Sequence, residues 1–367
     1  HGTAAGHFNG DECLAGKSPV RGSECCSVAE AMYSYEWLVS VTGNPYWAER
    51  LEKNAFNSFP ATLAPDMWSH QYDQQANQIN CCATETDKVP FGTNNGEAHT
   101  FGLMPHCSCC LANHNQGWPK FTLNIFQKSE NGFAVTAIAP AKLTAEVNGA
   151  KISAELITDY PFEDGYRLKI RSDSAVSLDI TLRVPEKATN AQIDGERADT
   201  GFNTVRCNMN GEKEISVNFD FDIELNSRDN DLFSVSRGNL TFALPIEGRW
   251  EKREYSRKGV ERKFPYCDYD LSPLSKWNYA LYGKNFTLER SPVGDVPFSP
   301  EGAPLKIKAR FVPIDWKTEN GMCTEVPGGR TPLGEPETLF MIPYGCTNLR
   351  MTEMPLKAQG ADSRRPV

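Results

Sequence analysis

Hydrophobic positions along the chain change their spacing once, near residue 122. Before that point Val28, Met32, Tyr35 and Val39 recur at helical intervals. The spacing predicts a helix from Glu24 to about Thr42, with Ser23 as N-cap and Gly43 as its stop. Asn44-Pro45 then caps and starts a second helix with Leu51, Ala55 and Phe59 on its apolar side, ended by Pro60 and Pro65. Two amphipathic helices joined by a tight turn make a helical hairpin, the unit of bundles and helical barrels. Residues 60–121 show weak periodicity and many Asn, Gln, Gly and Pro. An irregular stretch of that length inside a compact domain is more often functional than idle.

From about Thr122 the period becomes two. Val176, Leu178, Ile180, Leu182 and Val184 alternate with polar residues, as do Ile215, Val217, Phe219, Phe221 and Ile223. Asn131-Gly132, Asn148-Gly149, Asp164-Gly165, Asp194-Gly195 and Asn210-Gly211 each predict a hairpin turn. Short strands at such spacing imply a β-sandwich, with later strands expected in 232–244, 305–312 and 338–351. The expected division is 1–121, 122–230, 231–356 and a frayed polar tail over 357–367. Two helices cannot bury their apolar faces alone, so they pack on the sandwich or on helices upstream of this chain; the second is the expectation.

The length of 367 residues is more than one ordinary domain holds. A net charge of −9 supplies no basic field for phosphates and argues against nucleic acid, so a neutral or weakly polar substrate fits better. No apolar stretch is long enough to span a bilayer. The chain begins at His1, inside a loop, so no signal peptide is visible and the true N-terminus is expected to lie upstream. The sequons Asn239-Leu-Thr and Asn285-Phe-Thr are compatible with a secreted, extracellular or periplasmic location but are expected by chance at this length.

Twelve cysteines change the picture more. Glu24 and Cys26 lie at the start of a helix, and Cys109-Cys110 follows the irregular stretch. One carboxylate and three thiolates suffice for a tetrahedral zinc site. Disulfides and a closed structural zinc site are the alternatives to a catalytic centre; a vicinal pair favours metal, because linking adjacent cysteines strains the backbone. Glu12 is the next candidate, a short loop ahead of Glu24 and Cys26. Cys13, Cys81 and Cys82 are left as possible disulfide partners, Trp37, Trp47 and Trp68 as a sugar platform or core residues.

These residues sit in recognisable runs. Gly10-Asp-Glu-Cys-Leu-Ala-Gly16, Arg21-Gly-Ser-Glu-Cys-Cys-Ser-Val-Ala-Glu-Ala-Met-Tyr-Ser34, Asn54-Ala-Phe-Asn57 and Cys109-Cys-Leu-Ala-Asn-His-Asn-Gln-Gly-Trp-Pro-Lys-Phe121 form one group. Ser236-Arg-Gly-Asn-Leu-Thr-Phe-Ala-Leu244, Trp277-Asn-Tyr-Ala-Leu281 and Ile342-Pro-Tyr-Gly-Cys-Thr-Asn-Leu-Arg350 complete the set. Over essentially its whole length the chain resembles glycoside hydrolase family 127 and its relatives, whose typified members are β-L-arabinofuranosidases. The resemblance implies an α+β multidomain protein, the C-terminal part of an (α/α)6 barrel followed by β-sandwich domains. It implies zinc on Glu24, Cys26, Cys109 and Cys110, with Cys109 as nucleophile and Glu12 as acid/base. The loop between the two glutamates is shorter here than in the typified enzymes. Tyr72 falls where the family has a sugar-contacting tyrosine, a core tyrosine being the alternative. Asn113 and His114 are candidates for substrate contact or for locking the loop.

The expected function is thus a retaining glycoside hydrolase acting on an L-arabinofuranoside-type glycan, with zinc as cofactor. The alternatives are a non-catalytic, zinc-stabilised glycan-binding protein and a disulfide-stabilised secreted scaffold.

Overall fold

The computed structural model describes residues 2–85, 96–105 and 107–357. Strands make up 44% of the chain and helices 16%. Among the described residues there are three α-helices: α1 (Cys25–Thr42), α2 (Pro45–Lys53) and α3 (Cys109–Leu123). This overturns the expected segment of an (α/α)6 barrel, because residues 1–121 are mostly not helical. The reason lies in the polar run 71–78, which is fully buried. Its amides make the hydrogen bonds that a helix would make internally. Gln71 donates to the His99 carbonyl, Gln74 to Ser58, Asn77 to Glu353 and Gln78 to Asn348, at 2.6, 2.6, 2.8 and 2.6 Å. Side chains committed to distant backbone satisfy buried polar groups without regular structure.

α1 stops at Gly43, whose φ of 63° is left-handed, and Asn44 caps α2 by accepting from the Tyr46 amide at 3.0 Å. Ser23 does not cap α1. It belongs to strand β1 (Ser23–Glu24) and its hydroxyl donates to the Phe8 carbonyl at 3.0 Å. α2 continues as a π-helical turn over Asn54–Ser58 and a 3-10 turn over Pro60–Thr62. α3 was not evident from its sequence, because Gly117 and Pro119 look like breakers. Gly117 is there for proximity: a Cβ on it would lie 2.3 Å from Phe59 Cζ.

An eight-stranded sheet follows, built on a long antiparallel ribbon of Tyr166–Val184 with Gly201–Asp220. Leu178, Ile180 and Leu182 face inward, fully buried. Asn148-Gly149 and Asp194-Gly195 turn hairpins in left-handed conformations, as their sequence predicts. Asn210-Gly211 makes no turn. The ribbon runs through it, and the register slips there from Met209↔Val176 to Gly211↔Ser172. The expected hairpin is a β-bulge, which bends a strand too long to stay flat. A nine-stranded sheet then runs from Ile223–Ser227 to Met354–Lys357.

Helices and sheets share one core. Phe56 meets Phe121 of α3 and Tyr160 of the first sheet's loop at ring distances of 5.9 and 5.7 Å. Beneath them Arg183, fully buried, pairs with Glu52 and, at 2.6 Å, with Glu49. Asn239 Nδ2 donates to Glu49 and Glu52 at 2.9 and 2.8 Å. That sequon asparagine is 8% exposed, so its amide is occupied, whereas Asn285 is exposed.

Candidate active site

β1 pairs antiparallel with β2 (Asp73–Gln74), placing Glu24 opposite Asp73. The chain passes from β1 straight into α1, and the Cys25 amide donates to the Tyr72 carbonyl at 2.8 Å. Glu24 therefore sits at the N-cap of α1 with Cys26 in its first turn, while Cys109 and Cys110 open α3. Both helices aim their N-termini at one spot. The partial positive charge of a helix start favours thiolate there.

The four ligand atoms of Glu24, Cys26, Cys109 and Cys110 all lie within 4.8 Å of one another. Cys26 Sγ is 3.2 Å from Cys110 Sγ. Residues 84 positions apart in sequence thus form one donor set, with Cys109 the more accessible member of its pair and Cys110 fully buried. All twelve cysteines are unbridged, including Cys13, Cys81 and Cys82, which the sequence left open for disulfides.

The contact with Cys110 pulls the Cys26 thiol down, burial opposing it. Burial and then Cys26 push Cys109 up to about 12, and contacts with Cys25 and Cys26 push Cys110 up as well. Burial raises Glu24, with hydrogen bonds from Tyr72 and Cys26 working against it. Four potential anions compete in one partly dry space and cannot all ionise together. Three sulfurs and one carboxylate oxygen in reach of a common centre could hold a metal ion.

Glu12 is exposed at the tip of a turn with a left-handed φ of 79°. The turn is docked beside Glu24, whose amide donates to the Gly10 carbonyl at 3.2 Å. The Tyr72 hydroxyl donates to Glu12 Oε1 at 3.1 Å and also contacts the Glu24 carboxylate. Tyr72 is 1% exposed and packs against Cys25, Cys26 and Cys110. Asn113 hydrogen-bonds Cys26 and accepts from Gln116, tying the first turns of α3 to the cluster. His114 stacks between Phe59 and His70, at ring distances of 5.8 and 6.0 Å. Burial lowers its imidazole below the usual histidine range.

Neighbours that the sequence did not single out as part of the site are Cys25, Ala98 and Met322. Met322 arrives on a remote two-stranded hairpin and carries no signal in the sequence. Cys107, just ahead of α3, hydrogen-bonds Cys109. The tryptophans lie elsewhere: Trp37 is exposed on α1, Trp47 stacks on Tyr35, and Trp68 sits against Tyr266.

No protein-family model and no curated protein matches the chain. Solved structures do. A GH127 β-L-arabinofuranosidase from Geobacillus stearothermophilus T6 superposes with TM-score 0.67 at 14% identity, over 96% of this chain and 54% of that one. A GH127 β-arabinofuranosidase gives 0.66 at 13% identity, over 96% and 53%. A structure described as a glycoside hydrolase gives 0.64 at 16% identity, over 92% and 53%. The fold is therefore shared with these hydrolases, and the chain spans about half the length of each.

Proposed function

We propose that this chain carries the reacting groups of a retaining glycoside hydrolase acting on β-linked L-arabinofuranosides or similar pentosides. The carrying observation is the convergence of Glu24, Cys26, Cys109 and Cys110 within 4.8 Å, with Glu12 tethered beside them through Tyr72. The shared fold with GH127 enzymes supports the substrate class.

Glu24, Cys26, Cys109 and Cys110 would hold the metal, and bound zinc keeps sulfur deprotonated at neutral pH and eases its departure. Cys109, the accessible sulfur, is the nucleophile. Its sulfur bonds to the anomeric carbon while the glycosidic C–O bond breaks, and the Glu12 carboxyl gives its proton to the departing oxygen. Glu12, now a carboxylate, takes a proton from water. That water's oxygen displaces sulfur, so two inversions retain configuration. The Tyr72 hydroxyl orients Glu12 in both steps, and Asn113 fixes Cys26.

The test combines zinc analysis, free-thiol counting and turnover of an aryl β-L-arabinofuranoside, in the wild type, Cys109→Ser and Glu12→Gln. One zinc per chain, with turnover lost in both variants, is expected. Full turnover in Cys109→Ser, or no zinc with Cys109 and Cys110 oxidised, would overturn the reading.

A further inference from the structure

A second polar cavity shares no residue with the thiol cluster. It lies between the N-terminal segment, α2 and the strands Ile223–Ser227 and Leu232–Arg237, and has a volume of about 320 Å³. Four cationic side chains reach it: Arg50, Lys53, Lys187 and Arg228. Two of these are neutralised. Lys187 pairs with Glu224 at 3.3 Å, and Arg228 with Glu353 at 2.9 Å. Glu49 and Glu186 also line the cavity; one Glu49 oxygen is taken by Arg183 and the other by Asn239, and Glu186 is exposed to solvent.

Arg50 and Lys53 remain. Among the described residues neither has a carboxylate within ion-pair distance, and the Arg50 guanidinium donates to the Gly6 carbonyl. Gly6 also clamps the lysine stem: with φ at 100°, it lies so close that a Cβ would sit 2.3 Å from Lys53 Cγ. The lysine stem is packed against that segment and the side chain is partly buried. Burial, with Arg50 and Arg228 adding repulsion against Glu224 and Glu49, brings its ammonium down to about 7. A held cation lacking a counter-ion is an unsatisfied arrangement in a chain of net charge −9, where cations have many carboxylates to choose from. Ser234, Thr241 and Asn226 add hydroxyl and amide groups to the same wall.

We infer that this cavity is a binding site for one small oxyanion, gripped between the Arg50 guanidinium and the Lys53 ammonium. The guanidinium offers paired donors and the ammonium a point charge, a combination that suits tetrahedral oxyanions and carboxylates alike. The space also admits a monosaccharide bearing the acidic group. The inference is independent of the glycosidase reading.

The test is isothermal titration calorimetry on the whole chain at constant ionic strength, with chloride as reference. Inorganic sulfate probes a tetrahedral oxyanion and glucuronate a sugar carboxylate. Saturable binding of either probe at one site per chain is expected, weakened about tenfold or more in Lys53→Met and Arg50→Met. Lys142→Met, an exposed cation that does not line the cavity, should bind as the wild type does. The relative affinity of the two probes assigns the anion type. Failure of both probes to bind the wild type above chloride would overturn the inference, even if a variant does not fold. Unchanged affinity in both the lysine and the arginine variants would overturn it too.

Discussion

The Tyr72 hydroxyl lies 3.1 Å from Glu12 Oε1 and contacts Glu24 as well, so one buried phenol joins a carboxylate of the metal set to the only acid on the turn that reaches solvent beside it. The two glutamates are twelve residues apart on separate elements, and this side chain bridges them.

Tyr72→Phe should therefore leave metal content unchanged but lose orientation of Glu12. Turnover of an aryl β-L-arabinofuranoside is expected to fall about 10- to 100-fold, within the range of positioned acid/base catalysis. The pH–rate profile should broaden or shift while metal content stays at the wild-type value. Unchanged kinetics would show that Glu12 needs no tether.

Gly117→Ala should disturb the site from outside. Its added methyl would meet the Phe59 ring at 2.3 Å, in a contact where both partners are buried. Overpacking of this kind costs about 1–3 kcal/mol. Since Cys109 and Cys110 begin the same helix, urea denaturation should show the loss of stability and zinc analysis a weaker hold on metal.

Arg183→Met removes the cation from the buried group of Glu49, Glu52 and Asn239. Two carboxylates are then left without it in the core, a situation that typically costs about 3–5 kcal/mol. Chemical denaturation is expected to show a loss of that size. A double variant, Arg183→Met with Glu52→Gln, should recover part of it, because one stranded charge is gone.

Glu36 makes stability fall with pH. Burial raises its carboxyl from 4.5 to about 7, only partly offset by Lys120 and by Asn124, which donates to it at 2.8 Å. A carboxyl raised in the folded state favours folding fully below its unfolded value, and that contribution is lost as pH climbs through the folded one. The stability difference between wild type and Glu36→Gln, measured by urea denaturation, should therefore move against the wild type between about pH 4.5 and 7. A pH-independent difference would mean that Glu36 is already ionised in the fold.

Local chemistry was legible in the sequence. Gly43 and Asn44-Pro45 set the end of α1 and the start of α2, because caps and φ restrictions act between neighbours. Alternation along 176–184 and 215–219 marked the inward faces of the long ribbon, since side-chain period in a strand is a backbone property. The donors Glu24, Cys26, Cys109 and Cys110 could be singled out by residue type and short spacing. What only the tertiary structure decided depends on partners far away in the chain. Gly117 sits inside a helix because Phe59 needs the space, and Asn210-Gly211 bulges because its neighbour strand continues past it. The polar run 71–78 is core because backbone carbonyls from four distant segments await its amides. Arg183 is buried because two glutamates of α2 meet it there. Each of these outcomes is settled by a contact energy between residues that sequence spacing does not relate. For the same reason the helical hairpin near the start, which locally resembles a barrel unit, lies instead in a mostly β chain, with α3 as the main partner of α1.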